Sequence, residues 1–291
     1  MGYKVDNAII MAAGASSRFA PLSYEIPKAL ITVKGEVLLE RQIRQLQEAG
    51  ISKIIVVVGY MKERFSYLTE KMGVKIVENN AFNVRNNNSS IYAVREYLGN
   101  SYICSADNYF TVNPFEKEVD DAYYAGVYAS GETREWCMET GSDGYVNHVE
   151  IGGENAWYML GHAFWNETFS RKFKEILLRE YDLQETADKL WEAIYKEHLD
   201  ELKLKIRHYA DDFIFEFDSL DELRTFDSSY INDTRSIILK RIASELGCLE
   251  GEITDIREIK DEAGIQAVGF EFMYGSDIYE YFYGQKNWRK R

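Results

Sequence analysis

The chain has 291 residues, 46% of them hydrophobic and 14% aromatic, enough for one large α/β domain and a small appendage. Its net charge of −14 argues against general nucleic-acid binding, which needs a broad basic surface. No apolar run reaches the roughly 18 residues of a membrane span, and the N-terminus reads without a signal-peptide pattern. Cys104, Cys137 and Cys248, odd in number and without paired spacing, point to a reducing cytoplasm and no zinc site.

The first predicted element is a buried strand over residues 8–11. It runs into Ala12-Ala13-Gly14-Ala15-Ser16-Ser17-Arg18, small residues that let a ligand approach the backbone so that its N–H groups cup phosphate oxygens. Arg18 and Lys28 add two cations, and Pro21 and Pro27 stiffen the returning segment. Residues 30–33 read as a short strand turned by Lys34-Gly35, and 37–49 as a helix stopped at Gly50. A β-branched strand over 53–58 ends at Gly59-Tyr60; a helix over 61–72 closes at Gly73, and 74–77 is another strand. Residues 79–88 are rich in asparagine and predict a loop, after which Ser89 and Ser90 cap a helix reaching Leu98. A strand over 101–106 then ends on Asp107. This alternation predicts a Rossmann-like, mixed but mostly parallel sheet with helices on both faces and ligands at the carboxyl ends of its strands.

From residue 122 the pattern changes to strands over 123–129, 136–140, 145–151 and 157–164, an antiparallel, lid-like portion. Helices over 167–180 and 186–198 follow, then a strand over 202–207 and the run Phe213-Ile214-Phe215-Glu216-Phe217-Asp218. Ser219 caps a helix over 220–226. The domain break is predicted after residue 229, leaving 230–291 as a small α+β unit: a helix over 234–246 ended by Gly247, then strands over 253–259, 266–272 and 278–283.

Asp107 follows a buried strand and Asp218 follows a late one. Together their carboxylates could hold one Mg²⁺ and leave positions for phosphate and water, although each taken alone also suits a turn or a helix start. Only four histidines are present, and no convincing Ser/His/Asp or Cys/His set is among them.

The run from Ala12 to Arg18, with Pro27-Lys28, resembles the A-A-G-x-G-x-R … P-K signature of the nucleotidyltransferases that make sugar nucleotides. Ser16 stands where that signature has its second glycine; its N–H can still donate, but its Cβ narrows the approach. Further runs are Ala106-Asp107-Asn108-Tyr109, Glu216-Phe217-Asp218-Ser219, Gly59-Tyr60, Asn86-Asn87 with Ser90-Ile91-Tyr92, Glu135-Trp136 and Phe164-Trp165. From residue 9 to about 226 they resemble bacterial CTP:phosphocholine cytidylyltransferases. The resemblance implies attack of a phosphocholine oxygen on the α-phosphorus of CTP, giving CDP-choline and pyrophosphate with Mg²⁺ on Asp107 and Asp218. It implies nucleotide contacts from Ala12, Ala13, Gly14, Ala15, Ser16, Arg18 and Ala106, with Asn87 and Ser90 reading cytosine. Lys28 is expected on phosphate.

A quaternary ammonium is recognised by aromatic faces and carboxylates. Glu135 and Trp136 are the first choice, with Trp157, Tyr158, Trp165, Trp191 and Glu192 as further candidates and at least two tryptophans expected in the core. Rival readings keep the chemistry and change the substrate to 2-aminoethylphosphonate, phosphoethanolamine or a sugar 1-phosphate, or keep only the fold as a nucleotide-binding regulator. Residues 230–291 resemble the opening of a choline-kinase-like N-lobe, without the H-x-D…N catalytic loop that phosphorylation requires.

Overall fold

Ile54-Ile55-Val56-Val57-Val58 is wholly buried, as a parallel strand is when both faces of its sheet are covered. The structure, a computed structural model, describes residues 2–262, 264 and 266–291. Its contacts divide the chain into two compact units, Met1–Gly14 with Leu39–Glu216, and Ala15–Leu38 with Phe217–Arg291. This division differs from the expected break after residue 229. The segment after Gly14 groups with the C-terminal part through side-chain bonds between residues some two hundred positions apart, which no local pattern reveals.

The first unit carries a seven-stranded sheet made of β1 (Asn7–Ala12), β2 (Ile54–Val58), β3 (Lys75–Glu78), β4 (Ser101–Ser105), β5 (Tyr123–Thr140), β6 (Val146–Trp165) and β7 (Lys205–Tyr209). Their spatial order is β7-β5-β6-β4-β1-β2-β3. β1 pairs in parallel with β4 and β2, β2 with β3, and β5 with β7; β6 runs antiparallel to β5 and β4. The sheet is therefore mixed and mostly parallel, as expected.

The helices here are α1 (Leu38–Glu48), α2 (Tyr67–Met72), α3 (Asn88–Ala93), α4 (Glu167–Glu180) and α5 (Trp191–Glu197). Ile9, Ile55, Val57 and Ile103 share a core with Phe169, Phe173 and Leu177 of α4 and with Ile194 of α5. Ala8, Ile10, Ile54 and Val56 alternate to the other face and are equally buried.

The four short strands predicted between 123 and 164 are two long ones, β5 and β6, closed by a turn between Thr140 and Val146. Glycines at positive φ (Gly131, +93°; Gly152, +82°) and several bulges bend this ribbon back on itself. Cys137 and Met138 consequently pair with Glu150 and Val149 on one side and with Tyr158 and Trp157 on the other. A separate two-stranded ribbon joins Asn108–Phe110 to Ile214–Glu216, with Glu216 opposite Asn108.

The second unit holds α6 (Leu220–Phe226), α7 (Ile237–Leu246) and an antiparallel sheet of β8 (Ile253–Lys260), β9 (Ala267–Tyr274), β10 (Asp277–Phe282) and β11 (Asn287–Lys290) in sequential order. Phe270, Phe272 and Tyr281 are among its buried aromatics. Buried Arg224 ties α6 to this part by donating to the carbonyls of Glu250 (2.7 Å) and Ile253 (2.7 Å).

Candidate active site

In the first unit, β1 delivers Ala12, Ala13 and Gly14 to the carboxyl end of the sheet. Two backbone bonds fix this end: Ala106 N–H donates to Met11 (3.2 Å) and Tyr60 N–H to Ala13 (3.0 Å). Gly59 permits the second one, since a Cβ there would stand 2.6 Å from the Phe82 ring and 2.9 Å from the Ala13 carbonyl. Gly14 is different. Its φ is not positive and no heavy atom lies within 4 Å of where a Cβ would stand, so neither the backbone nor a neighbour demands glycine. What the missing Cβ leaves is room for a ligand to reach the main chain.

Asp107 follows β4 directly, and the next residue, Asn108, donates Nδ2–H to Glu216 Oε2 (3.2 Å). The ribbon thus carries a second carboxylate, Glu216, to the neighbourhood of Asp107. In the sequence Glu216 stands out only as part of a run; in the structure it is marked by its place at the end of a strand that pairs with the segment after Asp107.

In the second unit, Ser16 has φ 48° and ψ 46°, the left-handed conformation in which glycine is at home. The serine therefore keeps the loop geometry and its N–H, at a conformational cost. The turn Ser17–Phe19 follows, and Arg18 Nη1 lies 2.6 Å from Asp218 Oδ2. Lys28, almost wholly buried, places Nζ 3.7 Å from Asp218 Oδ1 and 5.8 Å from the Phe19 ring centroid. Asp218 is itself fixed: its N–H donates to Glu222 Oε2 (2.7 Å), while Ser219 caps α6 by accepting the Glu222 N–H (3.2 Å). Arg18, Lys28 and Asp218 are thus brought together within one unit. The hard, anionic oxygens of Asp107 and Asp218 are the donor type Mg²⁺ takes, so both fit such an ion chemically; Asp107 lies in the first unit and Asp218 in the second. Glu180, Glu197 and His198 also converge, but Arg179 and Lys189 already pair with the two glutamates.

Asn87 and Ser90, expected to read the base, are both held by neighbouring groups. The Ser90 hydroxyl is buried and accepts from Asn79 Nδ2 (3.1 Å). The Asn87 amide spans to α5, accepting the Trp191 N–H (2.6 Å) and donating to Glu192 Oε2 (3.2 Å). Trp165 and Trp191 are a correction: both are fully buried and pack edge to face, 5.0 Å between centroids, with Phe173 against each. They are core residues, because no face of either ring is left for a substrate. Glu192 is buried beside them and accepts the Tyr124 hydroxyl (3.0 Å). Burial pushes its carboxyl up to about 7, against the opposing pull of its hydrogen bonds.

Trp136 is half-buried and packs against the first unit's core. Trp157 stacks on His208 at 3.9 Å. Tyr158 is half-buried, and its hydroxyl is pushed up by burial and then by the nearby carboxylates of Glu135, Glu216 and Asp211. An aromatic ring among carboxylates attracts a cation.

Residues 8–126 match the model of the MobA-like NTP transferase domain. The chain is 35% identical over 226 residues to the choline-phosphate cytidylyltransferase of Streptococcus pneumoniae, covering 78% of this chain and 99% of that one. It is 35% identical over 234 residues to the 2-aminoethylphosphonate cytidylyltransferase of Lancefieldella rimae, covering 79% of this chain and 95% of the relative. The solved structure of the CTP:phosphocholine cytidylyltransferase from S. pneumoniae superposes with a TM-score of 0.74 over 78% of this chain and 99% of the other.

Proposed function

The chain belongs to the family of cytidylyltransferases that holds the choline-phosphate and 2-aminoethylphosphonate enzymes, and from that premise we propose that it converts CTP and phosphocholine to CDP-choline and pyrophosphate. The observation that carries the choice of a cationic substrate is Tyr158 among Glu135, Glu216 and Asp211, an acidic surround for a positively charged head. Trp136, half-buried on the ribbon, supplies a second aromatic surface.

The nucleophile, a phosphate oxygen, is already anionic at neutral pH, so no side chain need act as a base. The residues' work is alignment and charge. Backbone N–H groups from Ala12 to Ser16 receive phosphate oxygens, and Arg18 and Lys28 neutralise the departing pyrophosphate or the incoming phosphate. Asp107 and Asp218 would be the residues to hold a Mg²⁺, which would supply positive charge to the phosphates. Base reading falls to Asn87, whose side chain is held by the Trp191 N–H, and to Ser90, whose hydroxyl is held by Asn79. The three unpaired cysteines suit a reducing compartment, and we place the reaction in the cytoplasm.

A second reading, 2-aminoethylphosphonate as acceptor, is favoured by one observation. With Trp165 and Trp191 in the core, the site has more carboxylates than free aromatic faces, and a primary ammonium can donate hydrogen bonds to carboxylates where a quaternary one cannot. Pyrophosphate release over four nucleoside triphosphates, each with phosphocholine, phosphoethanolamine, 2-aminoethylphosphonate and a sugar 1-phosphate, decides between them. Turnover with CTP and phosphocholine above the other pairs is expected; preference for a primary amine moves the assignment to the second reading, and no release with CTP overturns both.

A further inference from the structure

The second unit joins Ala15–Leu38 to Phe217–Arg291, and bonds between these stretches fall on both sides of Lys28. Before it, Glu25 Oε1 accepts the N–H groups of Ile237 (2.8 Å) and Ile238 (3.2 Å), so a carboxylate from the loop segment caps the first turn of α7. The adjacent Tyr24 ring stacks on Tyr283, with centroids 3.8 Å and planes 3° apart. After it, the Thr32 carbonyl accepts both the Tyr230 hydroxyl (2.7 Å) and Arg235 Nη1 (2.7 Å), and the Arg235 guanidinium lies over the Tyr230 ring at 4.0 Å. The turn that carries Arg18 rests on β8.

The two phosphate-directed cations therefore stand on a segment pinned at Glu25 and Thr32 by residues beyond α6. The S. pneumoniae relative is matched over 99% of its length by only 78% of this chain, so this chain carries material that the relative lacks.

We propose that the part of the chain after Phe226 positions the phosphate-binding cations, setting where Lys28 and Arg18 stand by clamping Glu25 and Thr32. Glu25 is a positioning residue that acts through Lys28. The inference rests on the CTP reading above. Coupling of this kind is reciprocal: if the clamp favours the CTP-competent position of the loop, CTP tightens the clamp.

The experiment uses the full chain and two pairs of variants, Glu25→Ala with Glu25→Gln and Tyr283→Ala with Tyr283→Phe. The alanine variants are expected to raise the KM for CTP about five-fold or more while moving the KM for the second substrate little. Glu25→Gln keeps an acceptor and Tyr283→Phe keeps the stack, so both are expected to recover the wild-type value. In wild-type enzyme, hydrogen exchange at the Ile237 and Ile238 amides is expected to slow when CTP with Mg²⁺ is added to saturation. Alanine variants that lose thermal stability yet keep KM and kcat overturn the proposal, as does exchange at 237–238 indifferent to CTP. If the alanine variants fail to fold, the wild-type exchange measurement decides alone. Calorimetry separates the two levels: no CTP binding to wild type sinks the CTP reading, whereas binding with an indifferent α7 sinks only the clamp.

Discussion

At the scale of single residues, Asp107 and Asp218 were legible as strand-end carboxylates, and Arg18 and Lys28 as the cations of a small-residue loop. Burial was not legible: nothing in the sequence separates Trp165 and Trp191, fully enclosed, from Trp136, half-buried on a bent ribbon. Asp107→Asn is expected to cut turnover to less than about a tenth while leaving the fold intact, because an amide is a poor Mg²⁺ ligand; steady-state rates with circular dichroism check it. Glu192 gives a pH prediction. Its carboxyl moves from 4.5 in the unfolded chain to about 7 when buried, so between those values the folded state holds the extra proton. Its stabilising contribution is complete below pH 4.5 and is lost as pH rises through 7, a swing on the order of 3 kcal/mol. Glu192→Gln should match wild type in melting temperature near pH 5 and exceed it by several degrees at pH 8; an equal difference at both values contradicts the buried carboxyl. Ser16→Gly should add roughly 1 kcal/mol by removing the Cβ from a left-handed backbone, read from denaturant midpoints.

At the scale of elements, the parallel core was readable because buried strands announce themselves as unbroken β-branched runs and their helices by stops at Gly50 and Gly73. The ribbon reads in sequence as four strands and is two. Its glycines look like turn residues, but in the structure they bend continuous strands instead of ending them. The small residue after β2 does a different task. Gly59→Ala would drive a methyl into the Phe82 ring and the Ala13 carbonyl, and is expected to cost on the order of 2 kcal/mol. Because Ala13 begins the phosphate loop, the KM for CTP should rise as well. Thermal melts and CTP saturation curves check both; a stability loss with an unmoved KM would confine Gly59 to packing.

At the scale of the whole molecule, the sequence suggested an appendage simply following a catalytic domain. The observed units cut the chain differently, since the bonds of Glu25, Thr32 and Lys34 to residues beyond 226 depend on three-dimensional approach and leave no periodicity to read. Within the second unit, Asp218 has a further consequence, because it gives the loop cations a resident counter-anion. Any anion drawn to Arg18 and Lys28 must outcompete a tethered carboxylate, which an ion of one or two charges does with little gain. A triphosphate brings more negative charge than it displaces. Affinity should therefore climb steeply from CMP through CDP to CTP in calorimetric titrations, and Asp218→Asn should flatten that series by letting the shorter nucleotides and free phosphate in. The tethered carboxylate would then act as a charge threshold, a filter that counts phosphates before any base is read.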